Sequence, residues 1–228
     1  MIASRLSTVR DRLSAACKAA GRDPATVRLL AVSKTFGDDA VAQAIAAGQL
    51  AFGENYIAEG VEKIIALRQY PHLEWHCIGP VQSNKTRLVA EHFDWVQSVD
   101  RLKIAQRLSE QRPLHMPPLQ LCLQVNVDGG ANKSGVAPGE LLALIQEVIK
   151  LPRLRLRGLM TIPEPAIDFA AACAVHSEAR ALFDKVNSAG VLTEPMDTLS
   201  MGMTADLEAA IASGSTMVRV GTAIFGGR

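Results

Sequence analysis

Short apolar runs alternate with longer segments of helical periodicity along the whole chain. A short β-branched or apolar run predicts a buried strand, and apolar residues three or four positions apart predict a helix. On this basis the sequence predicts eight strands, at residues 27–33, 50–52, 74–78, 95–98, 119–127, 154–161, 198–201 and 217–221. Eight strands that alternate with helices are the number that closes a parallel barrel.

The clearest helical segments between these strands are residues 38–47, 138–150 and 204–212, the last with Thr204 as its N-cap. One further helix, residues 2–20, precedes the first strand, and very little chain follows the eighth. We therefore expect this extra N-terminal helix to supply the last helix of the barrel. The prediction is a single (β/α)8 TIM-type barrel domain over residues 1–228.

An open, doubly wound sheet is the alternative architecture. It requires a point at which the strand order reverses, which a sequence does not reveal. The regular eightfold alternation favours the barrel. The composition agrees, because 48% of the residues are hydrophobic and only 4% are aromatic, as expected for a core of Ala, Val, Leu and Ile around a parallel sheet.

The net charge indicates which partners to expect, and the N-terminal sequence indicates the cellular compartment. The net charge is +1 and no run of basic residues is present, so neither nucleic acid nor an anionic membrane is an expected partner. The N-terminus lacks the apolar core of a signal peptide, and no apolar run has the length of a membrane span. We expect a cytoplasmic protein, and a monomer, since no long heptad pattern suggests a dimer.

The cysteines do not form a metal or disulfide pattern. None is arranged as C-x-x-C or at a His/Cys ligand spacing, which predicts buried thiols in a reducing compartment and no metal site. The four cysteines are Cys17, Cys77, Cys122 and Cys173.

Lys34 closes the first predicted strand. In parallel β/α barrels the functional groups lie at the carboxyl ends of the strands. Partial desolvation at that position favours the neutral amine, which attacks carbonyl carbons. A lysine at a strand end also commonly extends its ammonium group into water, and for this residue alone we favour that second interpretation.

The ends of the last two strands change this balance. The seventh ends in Ser200, Met201 and Gly202, and the eighth ends in Gly221 and Thr222. The loops after strands seven and eight are the recurrent phosphate site of such barrels. Small residues there let main-chain N–H groups approach phosphate oxygens, and hydroxyl groups add donors, although ordinary turns favour the same residues. We take these five residues as candidate phosphate contacts.

Arg219 lies two residues before Gly221, so both point to the same face of the strand, which we take as the barrel interior. A buried arginine there needs an acceptor, and we consider a pyridine nitrogen or a carboxylate such as Glu164 or Asp197. For His76 we favour a hydrogen-bonded core histidine over a general base, because no carboxylate partner is evident nearby in sequence.

Two asparagines are further candidates at strand ends. Asn126 lies on the fifth strand, and Asn55 follows the second. Capping of the next helix and contact with a ligand are equally weighted interpretations of Asn55.

With these residues considered together, we find that the chain resembles the YggS/PROSC family of pyridoxal-phosphate homeostasis proteins. The segments that carry the resemblance occur in the family's order and span most of the chain. They are LLAVSKT (29–35), FGENY (52–56), EWHCIGPVQSNK (74–85), RGLMTIP (157–163), LSMGMTADLEAAI (199–211) and STMVRVGTAIFG (215–226). The chain departs from the family at Ala58, which stands where glutamine is usual, and in the glycine-rich loop 128–135.

The resemblance implies a barrel similar to the N-terminal domain of bacterial alanine racemase, with pyridoxal 5′-phosphate (PLP) held as a Schiff base on Lys34. It implies that Arg219 lies near the pyridine nitrogen and that Asn55 and Asn126 lie near the ring. The residues that it assigns to the phosphate are Ser200, Gly202, Gly221 and Thr222. If another lysine holds the cofactor, Lys85 and Lys133 are the next candidates.

A carrier is favoured over an enzyme. A racemase needs a base on each face of the substrate, and in alanine racemase the second is a tyrosine from a separate domain, whereas this chain ends at Arg228 and has only Tyr56 and Tyr70. Arginine at the pyridine nitrogen also leaves that nitrogen unprotonated, which weakens carbanion stabilisation. We expect a non-catalytic PLP carrier that supplies PLP-dependent apoenzymes. The alternatives are a weak amino-acid racemase and an aldolase-like barrel that uses Lys34 on a sugar phosphate.

Overall fold

A computed structural model of the protein describes residues 1–129 and 134–227. Its eight parallel strands form a closed barrel in sequence order, and the last strand pairs with the first. The strands are β1 (Arg28–Val32), β2 (Ala51–Glu54), β3 (Glu74–Cys77), β4 (Trp95–Val99), β5 (Leu119–Gln124), β6 (Leu154–Met160), β7 (Thr198–Ser200) and β8 (Met217–Val220). All eight predicted strands are confirmed, and the doubly wound alternative is wrong because the strand order never reverses.

Helices surround the barrel in the described residues. They are α1 (Ile2–Ala19), α2 (Asp38–Ala46), α3 (Ile57–Ala66), α4 (Thr86–His92), α5 (Leu102–Gln111), α6 (Leu141–Val148), α7 (Phe169–Ser188), α8 (Leu207–Ala212) and α9 (Thr222–Phe225). The N-terminal helix α1 packs against α2, α8 and α9. It therefore fills the position that the short α9 leaves open after β8, as predicted.

The beginning of α8 differs from the prediction. The helix starts at Leu207 with Asp206 as its N-cap, and Thr204 lies in the preceding turn. The Asp206 carboxylate accepts a hydrogen bond from the Met203 N–H at 2.7 Å, which stabilises a turn over the residues that were expected to be helical. The predicted Thr204 cap is therefore wrong.

Strand side chains alternate between two apolar regions. On β1, Ala31 belongs to the large cluster between the strands and the helices, whereas Leu30 and Val32 belong to a smaller cluster with Met217. A Cβ added to Gly53 would meet Leu30 and Ile78 side chains at 3.1 Å. Because side chains alternate across a strand, this smaller cluster fills the barrel interior.

The cysteines in the structure are free thiols. Cys17, Cys77 and Cys122 are buried and Cys173 is half-buried. Burial raises the pKa of the Cys77 and Cys122 thiols to about 12. Within residues 1–129 and 134–227, every helix is too short or too polar to cross a bilayer.

Candidate functional site

The carboxyl ends of β1 and β8 meet because these strands pair, with Ala31 opposite Val220. Their following residues enclose a cavity of ≈ 270 Å³. It is lined by Val32, Lys34, Thr35, Phe36, Gly221, Thr222 and Gly226. The structure thus brings the predicted lysine to two of the predicted phosphate contacts.

Lys34 itself is exposed, which agrees with the interpretation favoured for this residue alone, a strand-end lysine that extends into water, and not with partial burial. β1 ends at Val32, and Lys34 lies in a turn that leaves the strand. Thr35 in that turn has a φ of 68°, in the left-handed region, so the chain does not continue as an extended strand. The amine is accessible from solvent at the mouth rather than enclosed within it.

A buried ionic cluster lies beneath this turn. The Lys63 ammonium donates hydrogen bonds to the Ser33 carbonyl at 2.7 Å and to Glu54 and Glu59 carboxylates at 2.8 and 2.6 Å. The Ser33 hydroxyl also donates to Glu54 at 2.6 Å, and the Thr35 N–H donates to Glu59 at 2.5 Å. The residues on both sides of Lys34 are therefore fixed to side chains from β2 and α3.

This cluster is buried at its centre, and the Glu59 side chain at its edge is 29% exposed. Glu54 is fully buried and Lys63 is 5% exposed. Burial raises the pKa of Glu54, and its bonds with Lys63 and Ser33 only partly offset that effect. Sequence reasoning missed the cluster, although the spacing of Glu59 and Lys63 by four residues on a helix is a recognisable ion-pair signal.

The turn after β7 requires a glycine. Gly202 has a φ of +90°, and a Cβ there would lie 2.3 Å from the Cβ of Ala210. At the end of β8, a Cβ on Gly221 would lie 3.1 Å from the Val32 carbonyl oxygen. Gly202 is buried, Gly221 is half-buried, and Thr222 after β8 is exposed.

Ser200 and Met201 face away from this mouth. The Ser200 hydroxyl is buried and donates to Gln97 at 2.6 Å inside the barrel. The Met201 side chain lies in the large apolar cluster, and its N–H bonds to the Met217 carbonyl. Met201 has no donor left to offer a phosphate, so we do not retain it as a contact.

Arg219 points into the barrel, as predicted, and is 4% exposed. Its guanidinium donates to the Ser200 carbonyl and hydroxyl oxygens at 2.8 and 2.9 Å and to the Thr161 carbonyl at 2.8 Å. Burial lowers the pKa of Arg219 to about 10. Glu164 and Asp197 were considered as carboxylate acceptors for Arg219, and that prediction is wrong. The oxygens that accept from Arg219 are carbonyl and hydroxyl oxygens.

His76 is a hydrogen-bonded core histidine, as expected, but it does have a carboxylate partner. Its Nε2 lies 2.7 Å from Glu74 Oε1. The prediction overlooked this contact, although residues two apart on the predicted strand 74–78 share a face. Burial lowers the pKa of His76. Burial raises that of Glu74, but the His76 hydrogen bond and the Arg28 charge outweigh it and lower the pKa to about 2.

The two asparagines lie at the ends of β2 and β5. Asn55 precedes Tyr56, the N-cap of α3, so it does not cap that helix. Its Oδ1 is buried and has no hydrogen-bond partner among the described residues, which favours the ligand interpretation. Asn126 is half-buried, and its N–H bonds to the Val136 carbonyl.

Lys85 and Lys133 were the other candidates for cofactor attachment. Lys85 is exposed at the N-cap of α4. Lys133 lies outside the described residues, as does most of the glycine-rich loop that precedes it.

Residues 5–228 match the family model described as alanine racemase, N-terminal domain. The chain is 58% identical to the pyridoxal phosphate homeostasis protein of Pseudomonas aeruginosa, over 100% of this chain and 96% of that one. It is 52% identical to the protein of the same name from Escherichia coli K12, over 100% and 97%. PipY of Synechococcus elongatus, solved with PLP bound, superposes with a TM-score of 0.86 at 36% identity, over 99% and 100%. The chain belongs to the pyridoxal phosphate homeostasis proteins, a family built on the barrel of the alanine racemase N-terminal domain.

Proposed function

We propose that this protein binds PLP at the mouth formed by β1, β7 and β8, with Lys34 as the covalent attachment point, and that it serves PLP homeostasis. The observation that carries the proposal is the cavity that Lys34 shares with Gly221 and Thr222. A carbonyl-reactive amine and a set of phosphate donors on one cavity are what a phosphorylated aldehyde requires.

The described residues fit this cofactor. Gly221 and Thr222 line the cavity, and the absence of a Cβ at Gly221 lets main-chain N–H groups there approach phosphate oxygens. The buried Oδ1 of Asn55 has no partner in the described residues and gains one from a polar substituent of the ring. The relatives named above support the same ligand, since PipY was solved with PLP.

In this proposal each residue has a separate task. PLP supplies an electrophilic aldehyde and an electron-withdrawing ring. Lys34 holds the aldehyde carbon as a Schiff base, and main-chain groups of Gly202, Gly221 and Thr222 hold the phosphate. Arg219 faces the ring nitrogen, and Asn126 approaches the ring from β5.

Tethering without turnover is the favoured role. Arg219 is a cation, so it does not stabilise a proton on the ring nitrogen as a carboxylate would. Tyr70 lies before β3, at the end of the barrel opposite Lys34, and Tyr56 is 57% exposed. Neither tyrosine is enclosed as a base beside Lys34. The recipients of the cofactor in this proposal are PLP-dependent apoenzymes in the cytoplasm.

An absorption spectrum of the purified protein tests the attachment. Wild type is expected to show a visible band that borohydride removes, and Lys34→Ala is expected to lack it. Lys85→Ala, which changes an exposed lysine on a neighbouring loop, is the matched control and keeps the band. An unchanged spectrum in Lys34→Ala would refute attachment at this residue. A colourless wild type that borohydride traps only with a sugar phosphate would instead support the aldolase alternative.

The second candidate, a weak racemase, is favoured only by the position of Tyr56 at the mouth. Incubation of the holo-protein with L- and D-amino acids, followed by chiral analysis, separates the two roles. The carrier proposal predicts no turnover above the Lys34→Ala background. Turnover that disappears in Tyr56→Phe would establish the racemase instead.

A further inference from the structure

A line of side-chain hydrogen bonds crosses the barrel interior, from the start of β3 to the end of β8. Glu74 Oε1 accepts from His76 Nε2 at 2.7 Å, and His76 Nδ1 accepts from Gln97 Nε2 at 2.8 Å. Gln97 Oε1 accepts from the Ser200 hydroxyl at 2.6 Å, and the Ser200 oxygen accepts from Arg219 Nη1 at 2.9 Å. His76, Gln97 and Ser200 are fully buried. The line therefore runs through the protein interior from the amino-terminal end of the barrel to Arg219.

The ionisation of Glu74 determines which partner donates in each of these hydrogen bonds. This carboxylate is paired with Arg28 and holds a pKa of about 2, so it is ionised and only accepts. Nε2 of His76 must then carry the hydrogen. Because burial lowers the pKa of His76, the ring is neutral and its Nδ1 keeps a lone pair. The ring consequently accepts from Gln97 and does not donate to it.

The amide of Gln97 extends this order of donors and acceptors from His76 to Ser200. Its Nε2 contacts two acceptors, His76 Nδ1 at 2.8 Å and Met217 Sδ at 3.2 Å. The reversed amide would direct its oxygen at both of these acceptors and leave them without donors. Oε1 therefore faces Ser200, whose hydroxyl must donate to it. The Ser200 oxygen is left with its lone pairs directed to Arg219.

We propose that Gln97 and His76 are positioning residues for the PLP site, because they fix the Ser200 hydroxyl and through it the guanidinium of Arg219. This inference rests on the proposed function. Neither residue lines the cavity at Lys34, and their line of hydrogen bonds ends at Arg219, which the proposed function places at the ring nitrogen. A hydroxyl that donates to a strong acceptor becomes a better acceptor itself, and the intact line thus strengthens the bond to Arg219.

Loss of Gln97 frees the Ser200 hydroxyl to rotate. The hydroxyl hydrogen then also points towards Arg219 and weakens the hydrogen bond that the Ser200 oxygen accepts from it. The bonds of Arg219 to the Ser200 and Thr161 carbonyls remain. The guanidinium is retained but is no longer held in one orientation. A bound pyridine ring senses this change directly, because its absorption depends on the hydrogen bond to its nitrogen.

Gln97→Met in the PLP-loaded protein is the test, since methionine has similar volume and removes both amide groups. The expected result is a displaced visible absorption band and a several-fold faster release of PLP. Gln49→Met is the matched control. Gln49 is equally buried, at 4% exposure, and donates two hydrogen bonds to Leu29 and Ala51 carbonyls, but it is not part of this line. The control is expected to keep the wild-type band.

A double-mutant cycle separates positioning from a general loss of structure. If Gln97 acts through Arg219, Gln97→Met produces no further band displacement in an Arg219→Lys background. Additive displacements, or a wild-type band in Gln97→Met, would overturn the inference. His76→Phe, which retains the stacking on Trp95 at 5.0 Å, replaces Gln97→Met if that variant does not fold, with the same expected displacement.

The outcomes also distinguish this inference from the proposed function. A wild-type protein that takes up no PLP, or a Lys34→Ala variant with an unchanged spectrum, means that the proposed function fails. A wild-type band that depends on Lys34 but is insensitive to Gln97 means that only the positioning role fails.

Discussion

The Lys63 ammonium donates a hydrogen bond to the Ser33 carbonyl oxygen at 2.7 Å, one residue before Lys34. Lys63 is on α3 and Ser33 follows β1, so the bond joins two successive β/α units. The same ammonium pairs with Glu54 at the end of β2. The turn that presents Lys34 therefore depends on a buried cation that lies outside the candidate cavity.

Replacement of this cation is expected to destabilise the protein strongly. Lys63→Met leaves the Glu54 carboxylate buried without its partner, a change that typically costs about 3–5 kcal/mol. Urea unfolding measures the loss, and Lys85→Met, at an exposed site, is the control with a change within about 0.5 kcal/mol. The double variant Lys63→Met/Glu54→Leu is expected to recover most of the loss. Equal stability of Lys63→Met and wild type would contradict the assignment.

A methyl group at residue 202 is expected to impair both folding and PLP binding. Gly202 has a φ of +90°, and a Cβ there would approach Ala210 to 2.3 Å. The backbone strain alone is on the order of 1–3 kcal/mol. Gly139→Ala is the control, because nothing lies within 4 Å of a Cβ at that position. Thermal unfolding and PLP titration of both variants check the prediction, and wild-type values for Gly202→Ala would refute it.

Stability is expected to fall as the pH is lowered, because of the buried His76–Glu74 pair. The pKa of His76 is below 6.5 in the folded state, so below that pH the unfolded state binds a proton that the folded state does not. Glu74 adds to the loss as pH falls from 4.5 towards about 2. The free energy of unfolding, measured by urea titrations between about pH 5 and 7, is therefore expected to rise with pH.

His76→Phe isolates the histidine contribution to this pH dependence. The variant retains an aromatic ring beside Trp95 and is expected to have lower stability at pH 7 but a smaller slope between pH 5 and 7. His115→Gln, at an exposed histidine, keeps the wild-type slope. A wild-type slope in His76→Phe would mean that other groups carry the pH dependence.

The sequence predicts which residues meet at the mouth, but it does not predict their internal contacts. Strand periodicity places Lys34 and Gly221 at strand ends, and barrel closure alone then makes them neighbours. The Ser200–Gln97 bond joins residues 103 positions apart, and the side chains of either could face many partners inside a barrel. Periodicity identifies the face of a strand and not the side chain opposite it.

The exposure of Lys34 has a related cause. A lysine at the end of an apolar strand is enclosed only if the chain continues in the strand direction. The positive φ of Thr35 ends the extended conformation, and the Thr35 N–H donates to Glu59, which is 24 residues away. No local pattern around Lys34 contains this contact.

Asp206 is expected to support the phosphate side of the site. Its carboxylate accepts from the Met203 N–H at 2.7 Å and lies 2.8 Å from His176 Nε2. Burial raises the pKa of Asp206, but the His176 and Met203 bonds outweigh it and lower the pKa. The ionised group thus holds the turn that follows Gly202. Asp206→Ala is expected to weaken PLP binding several-fold by releasing this turn.

The conservative variant distinguishes geometry from charge. Asp206→Asn retains an oxygen acceptor for Met203 and is expected to lose less PLP affinity than Asp206→Ala. Asp184→Ala, which removes an exposed carboxylate paired with Arg180, controls for the lost charge and should bind PLP as wild type does. PLP titration by absorbance measures all three variants. If Asp206→Ala binds PLP as tightly as Asp184→Ala, the turn after Gly202 does not contribute to the phosphate site.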